Sequence, residues 1–225
     1  MGMSTLPLTP SWRYRGRHFV QHPTRGSAQQ NGFSLVEVLV SILVLSFGLL
    51  GMVGMQAAAL QSNREARVQA TAVVLARELA EMVRGNKAIG VLTTANPYVG
   101  SFSSSGTNTF TGNYCLSVSA GSACGNATDI ANAEITEWLA RVDDQLPGAR
   151  VVTCFDSAPY DVSGIPQWGC STGAGSSYVI KIGWTRRSTN SGAIGDAQFE
   201  RVSDTGNAPS LVFPVTAGSD TCKNC

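Results

Sequence analysis

From Val38 to Asn63 the chain carries no charged side chain, an uninterrupted run of 26 positions. A helix of that length and composition can cross a bilayer. Gly48, Gly51 and Gly54 interrupt the run at three-residue spacing. Each weakens a helix by about 1 kcal/mol relative to Ala in water. Two readings stay open: close approach of another helix, or local unwinding. From Arg64 to Arg84 neither Pro nor Gly occurs, and Val68, Ala72, Leu75, Leu79 and Met82 recur at steps of four and three. That stripe predicts the buried seam of an amphipathic helix. Gly85-Asn86 supplies its stop. One continuous helix is therefore expected from Phe33 to Arg84, apolar all round over 33–60 and amphipathic over 61–85.

Beyond Gly85 the pattern changes. Residues 86–109 are rich in Gly, Ser, Thr and Asn and read as a loop. Thr111–Ser119 and Arg150–Phe155 have strand character. Ser177–Trp184 alternates, with Tyr178, Ile180, Ile182 and Trp184 on one face, and is the clearest strand. Phe199–Val202 and Leu211–Phe213 are weaker strand candidates. Asp129 is expected to cap a helix presenting Ile135, Trp138, Leu139, Val142 and Leu146 on one side, ended by Pro147-Gly148. The predicted class is α+β, a long N-terminal helix packed on a small antiparallel sheet, with residues 86–225 as the globular domain. Residues 1–32 are polar, broken by Pro7, Pro10, Pro23 and Gly26, and no structure is expected there.

Charge sharpens the picture at the N-terminus. Arg13, Arg15, Arg17 and Arg25 precede Gly32, and no acidic residue occurs before Glu37. This asymmetry places the N-terminus in the cytoplasm and the chain beyond the helix in the periplasm. Removal of residues 1–32 would leave 12 basic against 15 acidic side chains. That balance offers no broad attraction to nucleic acid, and no nucleic-acid partner is expected. The adjacent pair Arg186-Arg187 reads as a solvated strand end. Cys115, Cys124, Cys154, Cys170, Cys222 and Cys225 all lie beyond the apolar run, which suits disulfides formed after export. Sequence leaves their connectivity open, and neighbour pairing (115 with 124, 154 with 170, 222 with 225) is the simplest set.

The sequence Gln30-Asn31-Gly32-Phe33-Ser34-Leu35-Val36-Glu37-Val38-Leu39-Val40 holds the main chemical problem. Glu37 lies just inside the apolar run. An unpaired carboxylate costs about 2.5–3.5 kcal/mol at the centre of a membrane helix and less near its end. A cut between Gly32 and Phe33 would free an amine one helical turn before Glu37. That amine and the helix dipole would both favour the ionised acid. In a bundle of such helices, Glu37 could instead neutralise the amine of a neighbouring subunit.

Gly-Phe-Ser-Leu-Val-Glu followed by an apolar stretch resembles the class III signal of type IV prepilins and pseudopilins. The resemblance covers Gln30 to about Arg84. With Arg77-Glu-Leu-Ala-Glu-Met-Val-Arg84 it is most similar to PilV-type minor pilins, the type IV pilus modification proteins. It implies that residues 1–32 are a leader removed by prepilin peptidase after Gly32, and that Phe33 becomes the N-methylated first residue. It implies further that Glu37 serves subunit docking, and that the partners are prepilin peptidase, other major and minor pilins and the inner membrane. The implied role is in pilus assembly or modification, with adhesion or motility as further possibilities. The leader is longer than many in that family, and glycines stand where major pilins often carry a Pro. The same junction also fits a pseudopilin of a type II secretion system.

Other chemistry finds little footing. An ordinary signal peptide could be cut at Ala57-Ala58-Ala59, but the run is too long for its apolar core and contains Glu37. The only histidines, His18 and His22, precede Gly32, so a processed chain would have neither a Ser-His-Asp triad nor a His-ligated metal. No phosphate-binding glycine loop is present. Asp143-Asp144 point to different helix faces and read as solvated surface. Cys222-Lys-Asn-Cys225 is not followed by a helix that would activate a thiol, so a structural bridge is expected over a membrane-anchored thiol–disulfide protein. No enzyme activity, catalytic residue, metal or cofactor is expected.

Overall fold

The computed structural model describes residues 32–117, 119–190, 192–202 and 207–216. The chain divides into two compact units, 1–52 and 53–225. Helix α1 (Leu35–Gly85) begins in the first and ends in the second. In the first unit every described residue is exposed. An 18-residue window of α1 has a mean hydropathy of 2.5 with none of it buried. The Ser41 and Ser46 hydroxyls donate back to the carbonyls of Glu37 and Ile42, each at 2.7 Å. Their polar groups are thereby satisfied within the helix. The helix is unbroken at Gly48, Gly51 and Gly54, so no unwinding occurs. A Cβ at any of the three would meet nothing within 4 Å.

In the second unit the C-terminal part of α1 becomes one wall of the core. Ala72, Leu75, Ala76, Leu79, Ala80 and Val83 are buried, while Val68 and Met82 are only partly so. The seam is thus rotated from the expected stripe toward the alanines, whose small side chains admit close neighbours. Helix α2 (Lys87–Gly90) and strand β1 (Gly100–Ser103) follow, both within the segment read as loop. One local and one long-range side-chain bond hold this segment. The Asn96 amide donates to the Leu92 carbonyl at 2.9 Å, and Thr153 Oγ1 accepts from the Gly100 amide at 3.1 Å.

Helix α3 (Ala127–Gln145) buries Ile135, Trp138, Leu139 and Val142, with Leu146 buried just beyond its end. Its cap is Asn126 and not Asp129: the Asn126 side chain accepts from the Asp129 amide at 2.9 Å. Asn126 takes the extended conformation that a capping side chain needs, while Asp129 is already in the first turn. Strands β2 (Arg150–Asp156), β3 (Ser177–Gly183) and β6 (Leu211–Val215) join β1 in an antiparallel sheet of order β1-β2-β3-β6. Two short strands, β4 (Arg186–Arg187) and β5 (Phe199–Glu200), pair separately, and Arg186 bonds Glu200 at 2.8 Å. The protein is α+β, an N-terminal helix packed on a small antiparallel sheet.

Thr111–Ser119, expected as a strand, contains none among its described residues. Its backbone bonds go elsewhere: the Cys115 amide to Asn113 Oδ1 and the Asn113 amide to Thr136 Oγ1 on α3, both at 3.0 Å. The Cys115–Cys124 disulfide then closes the segment into a loop. Strand β3 also departs from simple alternation. Tyr178, Ile180 and Ile182 join the α1 cluster, yet Val179 and Lys181 on the opposite face are buried as well.

The loop after β2 covers that opposite face. The Cys154–Cys170 disulfide ties the loop to the sheet. Lys181 Nζ lies 2.5 Å from Asp156 Oδ2 with both side chains fully buried, and it also donates to the Gly169 carbonyl. Asp156 Oδ1 accepts from the amides of Ala158 (2.9 Å) and Ser171 (3.0 Å). Burial alone pushes the Asp156 carboxyl up. The Lys181 hydrogen bond, the two amide bonds and the ammonium charge outweigh burial and hold it below the ordinary carboxylate range. The Trp168 indole bonds the Asn207 carbonyl at 2.6 Å, and Arg150 stacks over its ring at 4.3 Å. Gly183 makes room for this cover, since a Cβ there would lie 2.7 Å from Val202 and 3.0 Å from Trp168.

Because the Asp156 carboxyl is depressed in the folded state, its stabilising contribution is complete above its unfolded value of ~3.9 and is lost as pH falls below it. Urea midpoints measured by circular dichroism should drop as the solution is taken from pH 5 to pH 3, and Asp156→Asn should flatten that drop. At pH 7, Asp156→Asn alone should cost about 3–5 kcal/mol by leaving a buried ammonium uncompensated. Asp156→Leu combined with Lys181→Met should recover most of that loss.

Candidate processing and docking site

The junction sits at the start of α1, in the first unit. Gly32 is exposed, and Phe33 retains 83% of its surface. The Ser34 carbonyl accepts from the amides of Glu37 (3.0 Å) and Val38 (3.3 Å), and Ser34 Oγ accepts from the Val36 amide at 3.4 Å. Ser34 therefore caps α1, and Glu37 is the acid of its first turn. Sequence reasoning missed this role of Ser34, although Ser34-x-x-Glu37 has the spacing of a capping box and signals a helix start. The unpaired amides of the first turn place a partial positive charge beside Glu37.

The bond between Gly32 and Phe33 is thus reachable, directly ahead of a capped helix. The Glu37 carboxylate is exposed and meets no partner among the described residues. Nothing at the junction resembles a nucleophile with its base. The junction offers a cleavable bond, a first residue and an acid awaiting a counter-charge. The chain up to Asn31 lies outside the described residues.

The remaining predicted residues divide into two groups. Cys115 bonds Cys124 and Cys154 bonds Cys170, with Cα separations of 5.1 and 6.3 Å. Cys222 and Cys225 lie outside the described residues. Cys154, Cys170 and Asp156 come together closely enough to suggest a metal ligand set. However, the two sulfurs are bonded to each other and the carboxylate is taken by Lys181, so the arrangement is structural.

Comparison with known families bears on both halves of α1. Residues 27–53 match the prokaryotic N-terminal methylation motif, and residues 54–136 match a family model described as type IV pilin Tt1218. Over those two segments the chain is similar to type IV pilins. The methylation motif brackets Gly32, Phe33 and Glu37. The pilin match begins within the apolar run, takes in the seam, α2 and β1, and ends inside α3. No curated protein and no solved structure matches the chain. The apolar helix behind the motif fits membrane anchoring before assembly.

Replacing the capping serine tests the local geometry of the junction. Ser34→Ala should cost the helix start about 1 kcal/mol. Amide hydrogen exchange of the detergent-solubilised chain should quicken at Val36 and leave the amides of α3 unchanged.

Proposed function

We propose that this chain is the precursor of a minor pilin of the PilV type. Residues 1–32 form a leader removed by prepilin peptidase, Phe33 becomes the methylated N-terminus, residues 33–60 anchor the subunit in the inner membrane, and residues 61–85 seat the domain formed by 86–225. Before assembly the leader faces the cytoplasm and the domain the periplasm. Glu37 docks the subunit by neutralising the amine of a neighbouring pilin. Its part is in assembly or modification of the type IV pilus, with adhesion or motility as consequences, and it is not an enzyme.

The observation that supports this reading is Glu37. It stands in the first turn of a fully exposed apolar helix, with no counter-charge among the described residues, inside a matched methylation motif. An acid so placed is costly in lipid unless a cation is supplied, and an amine freed at Phe33 would be one helical turn away.

Mass spectrometry of the N-terminal peptide from purified pili or membranes should begin at a methylated Phe33. A peptide retaining Arg25 would overturn the reading. Glu37→Ala should be cleaved normally yet recovered in sheared pili at a small fraction of the wild-type level. Deletion of the gene separates pilus from type II secretion service: surface pili should be lost or altered while enzyme export continues.

A further inference from the structure

A cleft of about 180 Å³ opens in the globular unit between α3 and the chain beyond β1. Phe110 and Leu139, both nearly buried, line its base, with Phe102, Tyr114, Thr136 and Asp143 around them. The walls are held by bonds of their own. The Phe110 ring packs where a Cβ on Gly100 would come within 2.9 Å, and the Phe110 amide is capped by Asn108 Oδ1 at 3.0 Å. The Asn113 amide is fixed to Thr136 on α3, and the Cys115–Cys124 disulfide anchors the far end of the segment. Tyr114 nevertheless remains 69% exposed.

Two polar side-chain atoms of this cleft are already engaged. Asn108 Oδ1 is engaged by Phe110, while Thr136 Oγ1 accepts from Asn113 and donates to the Asn132 carbonyl at 2.6 Å. The Asp143 carboxylate has no partner among the described residues, and no basic residue lines the cleft. Three aromatic rings and one free carboxylate attract an organic cation: the rings through their quadrupoles, the carboxylate through its charge. A neutral ligand would find Asn108 Oδ1 and Thr136 Oγ1 already engaged and would gain nothing from the unopposed negative charge. The volume falls below the roughly 300–1,000 Å³ typical of small-molecule pockets, which suits one side-chain head group better than a whole cofactor.

We propose that this cleft receives the cationic side chain, arginine or lysine, of a partner protein. It forms a contact of the globular unit distinct from the apolar helix, and it stands apart from the pilin reading, which the N-terminal peptide tests separately.

The test uses the full-length, ¹⁵N-labelled chain in a nonionic maltoside detergent, so that no charged headgroup competes. N-acetyl-arginine amide is titrated against its neutral isostere, N-acetyl-citrulline amide. The arginine compound should give saturable shifts at the amides of Gly112 and Ala140, and the citrulline compound should not. Asp143→Asn and Tyr114→Ala alter exposed side chains, and each should weaken arginine binding by roughly threefold or more. Equal responses to the two compounds, absence of saturation, or wild-type binding by Asp143→Asn would overturn the proposal. Tighter binding of choline than of the arginine compound would also overturn it, because the natural occupant would then be a small free cation.

Discussion

The globular unit is built around the closeness that alanine permits. Ala72, Ala76 and Ala80 form a row of small side chains beside Leu75, Leu79 and Val83 on the buried seam of α1, and larger groups from the rest of the unit move in over that row. Trp138 of α3 is fully buried and donates its indole N–H to the Leu75 carbonyl at 2.9 Å. A bond to a helix carbonyl already engaged along the helix requires close approach, and bulkier residues on the seam would prevent it. The Arg141–Glu78 pair at 2.5 Å lies at the margin of the same contact. Half exposed, it adds little energy of its own. The sheet completes the enclosure through Tyr178, Ile180 and Ile182.

Two polar networks then fix the loops that the seam leaves free. On the helix side, the Tyr178 hydroxyl donates to the Tyr98 carbonyl at 2.7 Å, Thr153 Oγ1 donates to the same oxygen at 2.6 Å, and the Tyr98 hydroxyl donates to Glu134 of α3. Burial pushes both tyrosine hydroxyls well above their ordinary titration range, so they remain donors. On the far side, Lys181 and Asp156 do the equivalent for the covering loop. Neither network adds much net stability over an apolar core of the same shape. Each specifies one arrangement of loops that the hydrophobic pattern leaves undetermined.

That division explains which elements were legible beforehand. α1, α3, β2 and β3 announce themselves through period and punctuation, because each buries enough apolar surface to impose its own repeat. β1 does not: Gly100-Ser101-Phe102-Ser103 has no strand composition and becomes a strand only by pairing with Arg150–Thr153. Thr111–Ser119 shows the converse. Its composition suits a strand, but Asn113 and Cys115 spend its backbone bonds on α3 and on a disulfide-closed turn. The junction residues Gly32, Phe33 and Glu37 stand out along the chain because the pattern that marks them is local, and their roles belong to the proposed function. The charged partner of Lys181 could not, since nothing along the chain marks Asp156 as lying beside it.

The Cys154–Cys170 bond joins a central strand to the loop that seals the charged pair beneath it. Without that bond the loop would be held by its hydrogen bonds to Asp156 and Lys181 and by the Trp168 packing. The domain therefore gains its final rigidity only in a compartment where thiols are oxidised. A chain kept among reducing thiols would retain a softer cover over that buried charge pair.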